Sequence, residues 1–268
     1  MKIRLGYDIT MTHALYTPMV MVLNIHYSRA SDILVPDHLI TQPAVNVSQY
    51  RDVFGNWCSR LVAPPGPIRL STDALIYDPG LLDRYEPGAI QHDVSDLPDE
   101  CIQFLLGSRY CETDKLMDIA WANFGNAPMG WGRVQAICDF VHNQITFGYH
   151  HARSSRTAYD GYIERVGVCR DFAHLAVTLC RCMNIPARYC TGYLGDIGVP
   201  PDPAPMDFSA WFEAYLGGHW YTFDARHNVR RTARVLIARG RDAADIAIST
   251  VFGPSILNNF TVFTNEIS

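Results

Sequence analysis

The sequence predicts an α+β protein, with an antiparallel β-sandwich at the N-terminus and a core of packed helices and antiparallel strands after it. Three observations carry that class. Short strand-like runs fill roughly the first eighty residues, composition shifts after Tyr77, and helical periodicity then runs to Cys182 before strands resume.

Ile3, Leu5, Tyr7, Ile9 and Met11 alternate with Arg4, Asp8 and Thr10, the period of a half-buried strand over residues 3–11. Further strand-like runs cover Met19–Tyr27, Ile33–Ile40 and Ala44–Tyr50. Gly55-Asn56 sits between two apolar pairs, the signal of a two-residue hairpin turn. Ile68–Tyr77 follows the turn Pro64-Pro65-Gly66-Pro67. Strands this short and this closely spaced predict a sandwich domain over residues 1–85. His13, His26 and His38 within it are read as packing or surface residues.

Asp78–Asp96 is rich in Asp, Glu, Gly and Pro, so residues 86–96 are taken as a linker and 97–268 as the second domain. Leu97-Pro98-Asp99-Glu100 opens a helix that Gly107 closes. Leu116, Ile119, Ala120 and Phe124 form one helical stripe, and Val134, Ile137, Val141 and Ile145 form the next. Tyr149–Arg165 is aromatic and polar and carries His150 and His151. Beyond it, Phe172, Leu175, Ala176, Leu179 and Met183 define a helix with Cys169 at its start and Asn184-Ile185-Pro186 at its stop. Ala187–Leu194, Phe208–Leu216, His219–Arg226 and Phe260–Ile267 read as strands, the middle two joined by Gly217-Gly218.

A hydrophobic share of 48% against 18% charged residues describes a globular chain and excludes a disordered one. A net charge of −5 without a basic cluster gives no reason to expect nucleic acid or an anionic membrane as partner. Met1–Thr12 has no apolar core of signal-peptide length, and no run approaches the ~20 apolar residues of a membrane span. The eight cysteines include no C-x-x-C pair, and Cys180 and Cys182 point to different faces of their helix. Reduced cysteines in a soluble, cytoplasmic protein are expected, with no metal and no cofactor.

The chemistry centres on Cys169. A thiol in a first helical turn feels the unpaired N–H groups and the positive end of the macrodipole, which favour its thiolate. If Gly217-Gly218 is a two-residue turn, Leu216 faces His219 and Trp211 faces Asp224. Ser209, Trp211, Glu213, Thr222 and Asp224 then share one face, with Ser209 and Asp224 as diagonal neighbours ~7 Å apart. A longer residue at 209 could bind Asp224 and reach a nucleophile, the general arrangement of an activated thiol. If the ladder runs without a bulge, His219 and His227 have the wrong strand parity to face Asp224. His174 is read as a packed residue, while His150 and His151 stay open as stand-ins for a base.

The runs Gly167-Val168-Cys169-Arg170-Asp171-Phe172-Ala173-His174, Arg188-Tyr189-Cys190-Thr191-Gly192-Tyr193, Asp207-Phe208-Ser209-Ala210-Trp211-Phe212-Glu213 and Trp220-Tyr221-Thr222-Phe223-Asp224 together resemble the bacterial transglutaminase-like family, often described as cysteine proteases. The resemblance extends to Tyr50-Arg51-Asp52-Val53-Phe54-Gly55-Asn56, similar to that family's N-terminal β domain. It implies a papain-like core with a Cys-His-Asp triad, in which Cys169 is the nucleophile and Asp224 the acid that orients the base. The family's histidine precedes Ala-Trp, and Ser209 stands there in this sequence. An intact member forms a thioester with a peptide or amide and passes the acyl group to water or an amine. The expected partner is therefore a peptide or protein. A relative with an impaired triad would instead use the same cleft for binding.

Overall fold

In the computed structural model, which describes residues 1–267, the first strands are β1 (Lys2–His13), β2 (Thr17–Met21), β3 (Ile33–Val35), β4 (Ile40–Gln42), β5 (Ser48–Arg51), β6 (Trp57–Ala63) and β7 (Gly66–Tyr77). Helices α1 (Asp99–Ile102), α2 (Thr113–Phe124) and α3 (Trp131–Gln144) follow, then β8 (Thr146–Phe147), α4 (Ala158–Glu164), β9 (Val166–Gly167) and α5 (Cys169–Cys182). The last strands are β10 (Ala187–Tyr193), β11 (Ser209–Leu216), β12 (His219–Phe223), β13 (Val235–Gly240), β14 (Ser249–Val251) and β15 (Ser255–Ile267).

The α+β class is as expected. One sandwich sheet runs β15-β1-β7-β3, with β4 also on β7, and the other runs β14-β2-β6-β5. The alternation of β1 buries Ile3, Leu5, Tyr7, Ile9 and Met11 between the sheets, as its period requires. Gly6 lets β1 pack close, because a Cβ there would lie 2.2 Å from the Thr72 carbonyl and 2.5 Å from the Phe263 ring. The third sheet runs β12-β11-β10-β13, and α5 packs on it with α2, α3 and α4 around the helix. Every residue of α5 from Asp171 to Cys182 is buried, the signature of a central helix.

Several expectations are corrected. The run from Met19 stops as a strand at Met21, and His26 caps a 3-10 turn over Tyr27–Asp32 through its ring nitrogen. The Gly55-Asn56 turn is longer than two residues: Arg51 pairs with Trp57, and Asp52 Oδ1 accepts from the N–H groups of Phe54 and Asn56. The helix expected over 97–107 is the four-residue α1. The second half of the chain is not a separate run of structure in sequence order either, since β14 and β15 join the sandwich that β1 and β2 begin.

Asn56 ties the two halves together. Its Oδ1 accepts from Arg239 N at 2.9 Å and its Nδ2 donates to Arg239 O at 2.8 Å and to Asp52 Oδ2 at 2.8 Å. The amide thus completes the outer edge of β13, where a backbone strand would otherwise be needed.

Candidate active site

Cys169 is the first residue of α5, entered from β9, which pairs in parallel with β8. The entry is rigid for identifiable reasons. Asp171 Oδ2 accepts from Val168 N at 2.9 Å and from Arg156 Nη1 at 3.1 Å, and both side chains are buried. Arg156 also binds Glu164, so α4 and the start of α5 share one guanidinium. Gly167 makes the turn possible, because a Cβ there would lie 2.7 Å from Asp171.

The sulfur faces the start of β11. The thiol donates to the Phe208 carbonyl at 3.9 Å, and Phe208 and Ala210, on either side of Ser209, line the hollow it opens on. Burial pushes the thiol up to about 11, with Arg226 pulling the other way and Asp207 adding to the rise. Desolvation therefore outweighs the pull of Arg226 in the resting site. Asp207 is itself raised by burial, which the Phe208 N–H and Arg226 only partly offset.

Ser209 is 5% exposed, and its Oγ is buried without a hydrogen-bond partner. The hairpin register is as expected, with Leu216 facing His219 and Phe212 facing Phe223. Strand β12 then stops at Phe223, one residue before Asp224. Asp224 is 7% exposed and fully engaged. Its Oδ1 accepts from Arg226 N and His227 N, each at 3.0 Å, and its Oδ2 from His227 Nδ1 and Arg234 Nη2, each at 2.9 Å. Burial alone would raise this carboxyl, but Arg234 and His227 outweigh it and hold it well below the usual carboxylate range.

His227 corrects the expectation from strand parity. The chain leaves the ladder at Asp224 and turns, so residue 227 returns to the carboxylate three positions on. The signal available in the sequence is an Asp at a strand end, which readily gathers the N–H groups two and three residues ahead. His219, still on the ladder, is exposed and bonds only its own turn at Gly217.

The other histidines are placed elsewhere. His174 is fully buried, stacked on Tyr110 and accepting from Ala243 N through Nε2. The His150 and His151 rings lie 3.9 Å apart, tilted by 46°, and neither lines the hollows at Cys169 and Ser209. Arg170 turns to the Arg153 carbonyl and the Tyr110 ring. Two hollows meet at Asp207 and Phe208. One opens on Cys169, Tyr189, Thr191 and Ala210, and the other on Ser209, Arg226 and His227.

These geometries sit in a recognisable sequence context. The transglutaminase-like superfamily model matches residues 121–225, a span that includes Cys169, Ser209 and Asp224. Over 84 residues the chain is 38% identical to the uncharacterized protein ML0607 of Mycobacterium leprae (strain TN), a match that spans 30% of this chain and 30% of that relative's length. Over its whole length it is similar to the crystal structure of a "putative cysteine protease" from Cytophaga hutchinsonii, with 34% identity, 91% of that chain covered and a TM-score of 0.85. With the motifs, the fold and a full-length relative in agreement, the chain belongs to the transglutaminase-like superfamily.

Proposed function

We propose that the protein is a cofactor-independent thiol acyl-transfer enzyme that hydrolyses peptide or amide bonds through a thioester on Cys169. The observation that carries this is the placement of Cys169: first turn of the central helix, sulfur against the backbone at Ser209, with the engaged carboxylate of Asp224 beyond the end of β12. The thiolate attacks the carboxamide carbon, and the free N–H groups of the first helical turn receive the developing oxyanion. Asp224 orients the proton-transfer partner rather than exchanging protons itself, since the Arg234 guanidinium, the His227 ring N–H and two backbone N–H groups already hold it. The eight unpaired cysteines support a reducing, cytoplasmic setting.

The test is to incubate wild type and Cys169→Ala with a peptide library and a fluorescent amine, quench in acid, and map Cys169 by mass spectrometry. A hydroxylamine-labile acyl adduct on Cys169, with turnover lost in the variant, is expected. Turnover that survives Cys169→Ala, or no adduct at all, overturns it.

A second reading is a binding protein that keeps the cleft. It is favoured by a sulfur whose hydrogen bonds include no imidazole and whose thiol burial pushes up to about 11. Under it, turnover appears only after Ser209→His.

A further inference from the structure

We propose that His227 supplies the imidazole of this site, held by Asp224 and working through the hollow that the short side chain of Ser209 leaves open. The proposal rests on the acyl-transfer reading of Cys169 and names the base it lacks.

Three independent features of the geometry converge on His227. Asp224 grips both its ring and its backbone, Nδ1 at 2.9 Å and N at 3.0 Å, so the ring has a set position. An ionised carboxylate only accepts, so Nδ1 carries the hydrogen and the neutral ring keeps its lone pair on Nε2. Among the described residues Nε2 has no hydrogen-bond partner, leaving it available to take a proton. His227 and Ser209 line the same hollow, and a longer side chain at 209 would enter it. Ser209 Oγ is buried and unpartnered there, next to the Phe208 carbonyl to which the Cys169 thiol donates.

The proton count closes. Neither Nε2 nor the Ser209 hydroxyl hydrogen-bonds the sulfur in the resting site, so the Cys169 S–H proton passes to Nε2 as the substrate seats and the site tightens. The sulfur forms a C–S bond while the carbonyl π pair moves to oxygen. Collapse breaks the C–N bond, and Nε2–H protonates the leaving amine. Water then attacks the thioester and gives its proton to Nε2, and the departing thiolate recovers that proton.

The groups facing His227 are Asp224 and Arg226 on its own turn, Arg234 behind the carboxylate, and Arg231, Asp196, Asp202, Asp207 and Tyr149 around the hollow. Of these Tyr149 and Asp207 are pushed up by burial, so neither adds a base that is ionised more readily than usual.

The experiment follows iodoacetamide alkylation of Cys169 from pH 5 to 11 in the full chain, read by peptide mass spectrometry. Wild type, His227→Gln and the double variant Ser209→His/His227→Gln are compared. Glutamine can still donate to Asp224 but cannot take a proton. Wild type is expected to inflect at least two pH units below His227→Gln. His227→Gln should react at least 100-fold more slowly at pH 7, with its inflection moved up, the direction in which burial pushes the thiol. The double variant should regain the lower inflection. Superimposed profiles for wild type and His227→Gln overturn the proposal. Carbethoxylation of His227 in the wild-type chain tests the same point without a substitution: fast alkylation is lost if the proposal holds and kept if it does not. A lowered, His227-dependent inflection without any acyl turnover sinks the acyl-transfer reading alone. Cys169-dependent turnover that survives His227→Gln sinks the imidazole assignment alone.

Discussion

Arg234 Nη2 lies 2.9 Å from Asp224 Oδ2 while its Nε lies 2.9 Å from Asp83 Oδ2, so one buried guanidinium joins the segment before α1 to the turn after β12. It also lies over the Trp211 ring at 5.2 Å, on the face of β11 that carries Ser209. Removing one partner of a buried ion pair leaves a charge uncompensated, typically at ~3–5 kcal/mol. Asp224→Asn should cost about the lower end of that range, since Asp83 remains, in urea unfolding at pH 7. The sign with pH follows from the depressed carboxyl. The stabilisation is complete above the ordinary carboxylate value of ~3.9 and is lost as pH falls below it, so the gap between wild type and variant should narrow under acid.

Arg226 and Asp207 bias the Cys169 thiol in opposite directions. Arg226→Met should slow alkylation at pH 8 and Asp207→Asn should speed it, each by ~3- to 10-fold, the effect of roughly half to one pKa unit. Peptide mass spectrometry on timed samples checks both, and a shift of the same sign in the two variants would contradict the arrangement.

Asn56 replaces a strand at the edge of β13 and has no exposed surface. Asn56→Ala leaves the N–H and C=O of Arg239 without partners, at roughly 1–3 kcal/mol each. A lowered midpoint in thermal unfolding, with faster amide exchange at Arg239, is the expected result.

Gly192 faces Ser209 across the β10–β11 ladder. A Cβ there would lie 2.1 Å from the Val235 carbonyl and 2.8 Å from the Trp211 ring. Gly192→Ala should therefore destabilise by ~1–3 kcal/mol through forced shifts of β13 and Trp211, seen in chemical denaturation.

Much of the frame is legible in the sequence because it is local. The period of two in β1, the helical period of α2, α3 and α5, and the Gly217-Gly218 turn each depend on neighbours in the chain, and the hairpin register is the one the turn requires. The departures arise where side chains override the period. Asp52 gathers backbone N–H groups and lengthens a turn, and Asp224 does the same and ends β12. That second turn carries His227 to the carboxylate, and strand parity read past residue 223 hides it. The resting state of Cys169 is hidden for another reason, because helix position is visible in a sequence and desolvation by distant segments is not.

The pairing of β1 with β15 has a temporal side. Thr12 and Asn258 hydrogen-bond across 246 positions of chain, so β1 emerges in synthesis long before the β15 strand that completes its sheet. Until then β1 has β7 on one side and an open edge on the other. Contacts this distant in sequence slow folding, and unpaired edges invite the wrong partner. A sandwich begun early and closed late thus makes the whole chain, with the Cys169 helix in its middle, mature as one piece.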